Sequence, residues 1–151
     1  MAENNALIRI KKDGTGRSRI TAAAILEKFG LSPDGKWVIA LLAGRGTFAL
    51  PVDGSGTTRI CARVCPSTWS SDRRWLYVGA AVATGKTFAI PVPSGRSLPD
   101  LPPGGIDPGA AIELPGALVI EHGSISPGAD PSTYVFTKTD LQRNLFRIPL
   151  H

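Results

Sequence analysis

The sequence predicts an all-β chain built from about three four-stranded antiparallel units in series. Three observations predict it. The chain repeats itself at a spacing of about 40 residues, its apolar residues fall in short runs closed by turn residues, and 17 glycines with 13 prolines in 151 residues leave little room for long helices.

The repeat emerges when the turns are aligned. Ile8-Arg9-Ile10, then Asp13-Gly14-Thr15-Gly16, then Arg19-Ile20 returns as Phe48-Ala49-Leu50, Asp53-Gly54-Ser55-Gly56 and Arg59-Ile60, displaced by 40 at every position. FALPV at 48–52 returns as FAIPV at 88–92, again displaced by 40. LSPDGKWVIAL at 31–41 returns as WSSDRRWLYVG at 69–79, displaced by 38, with two residues added in the hairpin that follows. A last copy, FRIPL at 146–150, lies 58 beyond FAIPV, so the third unit carries an insertion of about one extra element.

Each segment follows from this pattern. Residues 6–21 read as the two outer strands of a unit, 22–61 and 62–101 as two complete units, and 102–151 as a last unit with three inner strands over about 116–150. WVIAL and WLYVG are short runs of aromatic, branched and small apolar residues bounded by turns, which argues strand over helix. FALPV and FAIPV end at Asp-Gly or Ser-Gly, and a proline inside such a run lacks a ladder donor, placing it near a sheet edge or at a bulge. The stretch 99–117, PDLPPGGIDPGAAIELPGA, is the insertion. Its Pro and Gly density predicts a surface loop, with a single helical turn around Ala110 to Glu113.

SPDGKW, an apolar strand, FALPVDGSG and TRI together resemble the blade of TolB-like and WD-repeat-like β-propellers. Residues 22–61 follow the family pattern closely, and 62–101 follow it with Ser71 in place of Pro and Arg73 in place of Gly. The last segment, SISPGADPSTYVFTKTDLQRNLFRIPLH, keeps Ser126-Pro127 and two strands but loses the SPDG spacing. It resembles the terminal blade of the propeller that follows the kinase domain in some bacterial serine/threonine protein kinases. The resemblance implies β-propeller blades, about three in number, forming a partial propeller or half of an oligomeric ring. About 13 strands are too few for a closed ring, which needs at least about four blades. A homo-oligomer that completes the propeller is therefore expected, two copies supplying six blades; a fragment of a longer propeller is the alternative.

Charge and cysteine content bound the partners. The net charge of +5 comes from basic residues spread from Arg9 to Arg147 without a long run, so nucleic acid is an unlikely partner. No signal peptide pattern and no apolar run of the roughly 18 residues that a membrane helix needs is present, which predicts a soluble chain. Cys61 and Cys65 are too few for a disulfide framework and too sparse for a zinc site, so buried free thiols are expected rather than a disulfide.

Catalytic patterns fail on spacing. Gly85-Lys86-Thr87 looks like the tail of a phosphate-binding loop, but the preceding Gly79 is one residue too far and FAIPV, a strand, follows where a helix is required. The repeat places Lys86-Thr87 on Gly46-Thr47, a hairpin turn. His122 is the sole internal histidine, no Gly-x-Ser-x-Gly elbow exists, and Glu121 and His122 fall in an expected strand, ALVIEHG, pointing to opposite faces. Asp34, Asp53, Asp72 and Asp130 sit at turns, where their side chains cap backbone donors. Trp37 and Trp75 align as packing residues.

No catalytic, cofactor-binding or metal-binding residue is assigned. Arg73 and Arg74, replacing the Gly35-Lys36 of the first turn, are the candidate contact residues for a partner. The expected function is a non-catalytic interaction or sensor module, binding a protein or small ligand through blade loops or a central channel. The alternative is the accessory propeller of a prolyl oligopeptidase-like hydrolase. A standalone propeller enzyme would need clustered His, Asp and Glu, which the sequence lacks.

Overall fold

A computed structural model describes residues 5–81, 85–108 and 113–138. Every regular element among them is a strand. β1 (Ile8–Arg9) and β2 (Ser18–Arg19) form an antiparallel hairpin. β3 (Ile25–Leu31), β4 (Trp37–Leu42), β5 (Gly46–Pro51) and β6 (Thr58–Cys61) make a four-stranded antiparallel sheet in chain order. β7 (Ser67–Trp69), β8 (Trp75–Gly79), β9 (Thr87–Pro91) and β10 (Leu118–Ile120) make a second sheet of the same order. β11 (Ile125–Pro127) and β12 (Tyr134–Phe136) pair as a closing hairpin.

The near-continuous apolar runs have a physical reason: the central strands are covered on both faces. On β4, Val38, Ala40 and Leu42 pack toward β1–β2, meeting Leu7 and Ile20, while Ile39 points the other way into the core between the two sheets. On β8 the same alternation recurs. Leu76 and Val78 face the first sheet, and Tyr77 faces β11–β12 with Ile125 and Tyr134. Phe48 and Leu50 on β5 match Phe88 and Ile90 on β9, with Ala49 and Ala89 on the reverse faces. A fully buried leucine such as Leu76 contributes about 2 kcal/mol, so charging any of these positions would separate two layers.

Two buried threonines, 40 residues apart, secure the passages from one sheet to the next. Thr47 Oγ1 donates to the Arg63 carbonyl (2.9 Å) and accepts from the Cys65 amide (3.0 Å). Thr87 Oγ1 donates to the His122 carbonyl (2.7 Å). Both lie inside strands rather than in the expected hairpin turn. At the second passage a Cβ on Gly79 would collide with the Gly123 carbonyl, so only glycine lets the chain cross there.

Four expectations are corrected. The second sheet takes its fourth strand from Leu118–Ile120, which pairs with Ala89, Phe88 and Thr87, and not from residues before 102. Pro99, Pro102 and Pro103 lack ladder donors and cannot build a strand beside β9. The insertion therefore lies inside a unit, between its third and fourth strands. It is also more than a surface connection: Ile106 within it, like Leu98 just before it, is buried between the sheets, and the Ile106 amide donates to the Ile60 carbonyl (2.8 Å) beside β6.

ALVIEHG is consequently the outer strand of the second sheet and ends at Ile120, leaving Glu121 and His122 in the passage beyond it. Cys61 and Cys65 form a disulfide, with Cα atoms 6.5 Å apart. Thr47 folds the short passage tightly enough to bring both thiols within bonding reach. Most of the helical turn expected at Ala110 to Glu113, and the FRIPL segment at 146–150, lie outside the described residues. No helix among the described residues is long and apolar enough to cross a membrane.

Candidate functional site: a basic cleft between repeated turns

The turn before β4 and the turn before β8 are built alike. Ser32 Oγ donates to Asp34 Oδ1 (2.6 Å), the Lys36 amide donates to the same oxygen (3.1 Å), and the Trp37 amide donates to Ser32 Oγ (2.9 Å). In the second sheet Ser70 Oγ donates to Asp72 Oδ1 (2.6 Å), the Arg74 amide donates to it (3.0 Å), and the Trp75 amide donates to Ser70 Oγ (3.0 Å). Both aspartates are punctuation: each organises the turn that starts a central strand. The third copy is present too, although the sequence hides it. The Gly128 amide donates to the Thr133 carbonyl (2.8 Å) as the Ser70 amide does to that of Trp75 (2.9 Å), and Asp130 then accepts from the Ser132 amide (2.8 Å).

The turn backbone places its central residue in the left-handed region. Gly35 has φ 70° and Arg73, its counterpart, has φ 64°. Arginine adopts that conformation at a cost of about 1 kcal/mol, and the turn hydrogen bonds hold it there. Its guanidinium consequently reaches back across the sheet boundary, Arg73 Nη1 lying 3.5 Å from Asp34 Oδ2.

A cleft of about 520 Å³ opens between these turns and the loop after β9. Lys36, Arg73, Arg74 and Arg96 line it together with Asp34, Asp72, Trp75 and Ser97. Trp69 positions the far wall: its indole Nε1 donates to the Ser97 carbonyl (2.7 Å), and Ser97 Oγ donates to Asp34 Oδ2 (3.2 Å). Arg74 is engaged by Asp72 (2.5 Å) and Arg96 by Asp100 (2.5 Å). Lys36 forms no ion pair among the described residues.

The electrostatics keep the acids ionised. The Ser32 hydroxyl, then the Lys36 amide, the Ser97 hydroxyl and Arg73 hold Asp34 below the usual carboxylate value, against a smaller contrary effect of burial. Asp72 is lowered further, by the Ser70 hydroxyl first and then by Arg74 through its amide and guanidinium. Asp72 in turn raises Arg74. Both walls are therefore charged at neutral pH, with four cations facing two carboxylates.

The sequence singled out Arg73 and Arg74, and the structure places both at this cleft. It missed Lys36, Arg96 and Ser97. Lys36 was reachable from the repeat, since it aligns with Arg74. Arg96 and Ser97 belong to the loop after β9, whose position depends on the Trp69 indole and has no counterpart in the repeat.

The other motifs are built into the fold. Lys86 Nζ pairs with Glu121 Oε1 (3.1 Å), Thr87 is buried in β9, and the His122 ring stacks on Phe136 (3.8 Å between centroids, 16° between planes). Among the described residues no group of three His, Cys, Asp or Glu side chains is placed to hold a metal ion. A second cleft, of about 310 Å³, lies where β7 and β11 approach Phe29 of β3, with Tyr77 in its lining. The Tyr77 hydroxyl has no hydrogen-bond partner among the described residues, and burial raises its pKa.

No family model matches the chain, and comparison with curated proteins and with solved structures finds no significant match.

Proposed function

We propose that this chain is a non-catalytic interaction module of the β-propeller type, which binds an anionic group of a protein or small ligand in the cleft between the repeated turns. The observation that carries the reading is the convergence of Lys36, Arg73, Arg74 and Arg96 on one cleft beside Trp75. Arginine forks suit carboxylate and phosphate oxygens, and an indole beside them offers an apolar surface to the rest of the ligand. Repeated four-stranded sheets stacked in chain order support the propeller reading, and the resemblance to kinase-appended propellers suits a sensing role.

Fluorescence titration tests it. Acidic and phosphorylated peptides should perturb the emission of Trp75, with affinity falling as salt rises, and a neutral peptide of equal length should not. Replacing Lys36 and Arg96 together by alanine should weaken binding about tenfold or more, as expected for loss of two charge-assisted contacts. Equal response to neutral and anionic peptides would sink the cleft assignment, and turnover of ester, peptide or phosphate substrates by the purified chain would refute the non-catalytic one.

A further inference from the structure

We infer that the cleft beside Tyr77 is a second binding site, one that takes a small uncharged molecule with an apolar body and an oxygen acceptor for the Tyr77 hydroxyl.

The site follows from a polar group that the fold leaves unused. Tyr77 is 2% exposed, and its hydroxyl is the one buried side-chain polar atom among the described residues without a hydrogen-bond partner. The buried hydroxyls beside it in the cleft wall are engaged: Ser67 Oγ donates to the Cys65 carbonyl (2.8 Å) and Thr87 Oγ1 to the His122 carbonyl (2.7 Å). A buried donor left alone is destabilising, so a group of this kind needs an explanation. Burial raises the Tyr77 pKa, and the charges of Asp130 and Asp72 add to the effect, so the phenol stays protonated at neutral pH and offers a donor.

The surroundings of that donor are apolar and uncharged. β3 and β7 are the first strands of the two sheets and β11 is the first strand of the closing hairpin; the cleft of about 310 Å³ lies where the three come together. Tyr77 lines it from β8, paired with Thr68 of β7 and packed on Ile125 and Tyr134. Phe29, Pro66, Ile125 and Pro127 supply apolar walls, and the two prolines have no amide hydrogen to offer a ligand. Thr68 and Ser126 add hydroxyls, and no charged side chain is among the described residues of the lining. Its volume stands at the small end of the roughly 300–1,000 Å³ typical of small-molecule sites.

This lining selects the ligand. A charged group would give up its hydration with no counter-ion to meet it, and a purely apolar molecule would leave the Tyr77 donor alone. A neutral molecule with a carbonyl oxygen satisfies both walls and donor. The site is separate from the basic cleft. Trp75 opens β8 and lines the basic cleft, Gly79 ends β8 and lines this one, and the two linings share no residue.

Amide-resolved NMR of the isotopically labelled chain tests this with two probes built on one ring, acetophenone and benzoate. Acetophenone, neutral and carrying a carbonyl oxygen, should shift the amides of Gly79, Gly123 and Ser126 saturably, and benzoate should leave them in place. Tyr77→Phe keeps the ring and removes the donor. It should weaken acetophenone by about fivefold, the value of one neutral hydrogen bond, and leave the thermal midpoint of the free chain unchanged or higher, because no hydrogen bond is lost. Ser126→Trp, at an exposed position of the wall, should abolish the shifts while circular dichroism shows folding intact. Acetophenone that moves none of these amides overturns the inference, as does benzoate that moves them equally or either variant binding as tightly as the parent. A lower midpoint for free Tyr77→Phe overturns it too, since a trapped water would then already satisfy the hydroxyl. Benzoate shifts around Lys36 and Arg74 belong to the basic cleft, so the two assignments stand or fall separately.

Discussion

Arg73 of the second sheet's turn lies 3.5 Å from Asp34 of the first, and it does so from a backbone conformation of φ 64° that its counterpart Gly35 adopts without strain. One residue thereby joins two repeated turns and lines the cleft between them. The arginine departs from the repeat in favour of a contact, at some cost in backbone energy.

Arg73→Gly should separate these roles. Relief of the left-handed strain should raise stability by about 0.5–1 kcal/mol, since the exposed ion pair with Asp34 contributes at most about 1 kcal/mol. Anion affinity should fall in the same variant. Denaturant unfolding with peptide titration checks both; a variant that loses stability would show the ion pair to outweigh the strain.

Thr87→Val should cost about 1–3 kcal/mol. The side chain keeps its shape, but the His122 carbonyl loses its buried donor. Thr47→Val should cost at least as much, because the Arg63 carbonyl and the Cys65 amide both lose their partner. Thermal unfolding of the two variants reads the effect, and a change below about 0.5 kcal/mol in either would mean that the passage finds other partners.

Reduction of Cys61–Cys65 should lower stability by about 2 kcal/mol, the chain-entropy value for so short a loop. Intact mass before and after alkylation under denaturing conditions establishes the bond. Alkylation of both thiols without prior reduction would contradict it.

Acid should weaken the turns in a defined window. Asp34, Asp72 and Asp130 all have folded pKa values lowered by turn hydrogen bonds, chiefly from the serine hydroxyls at positions 32, 70 and 132. Groups lowered in the folded state contribute stability that is complete above their unfolded value near 3.9 and lost as pH falls through the folded values. The melting temperature should therefore hold from neutral pH down to about pH 4 and fall below it. Asp34→Asn should flatten that fall, and an unchanged slope would assign the acid sensitivity elsewhere.

Asp34 also shows how far the sequence reaches. Its recurrence as Asp72 marked it as a turn residue, and the hydrogen bonds from Ser32 and Lys36 give it that role. The third copy escaped notice because Gly128 replaces the serine, so that only the backbone bond to Thr133 preserves the pattern. The cleft was half legible. Arg73 and Arg74 stood out as substitutions in a repeated turn, whereas Arg96 is brought in by a loop that no repeat describes.

The repeat alone determined the all-β character, the strand runs and the alternation of faces, because strand periodicity and turn chemistry are local properties of the chain. Tertiary structure decided which strand joins which sheet. Leu118–Ile120 closes the second sheet from beyond a proline-rich insertion, and the disulfide forms where Thr47, reaching across from β5, holds the Arg63 carbonyl and the Cys65 amide of a short passage. Pairing and burial between residues far apart in the chain depend on competition among all available edges and faces, and no local pattern encodes the outcome of that competition.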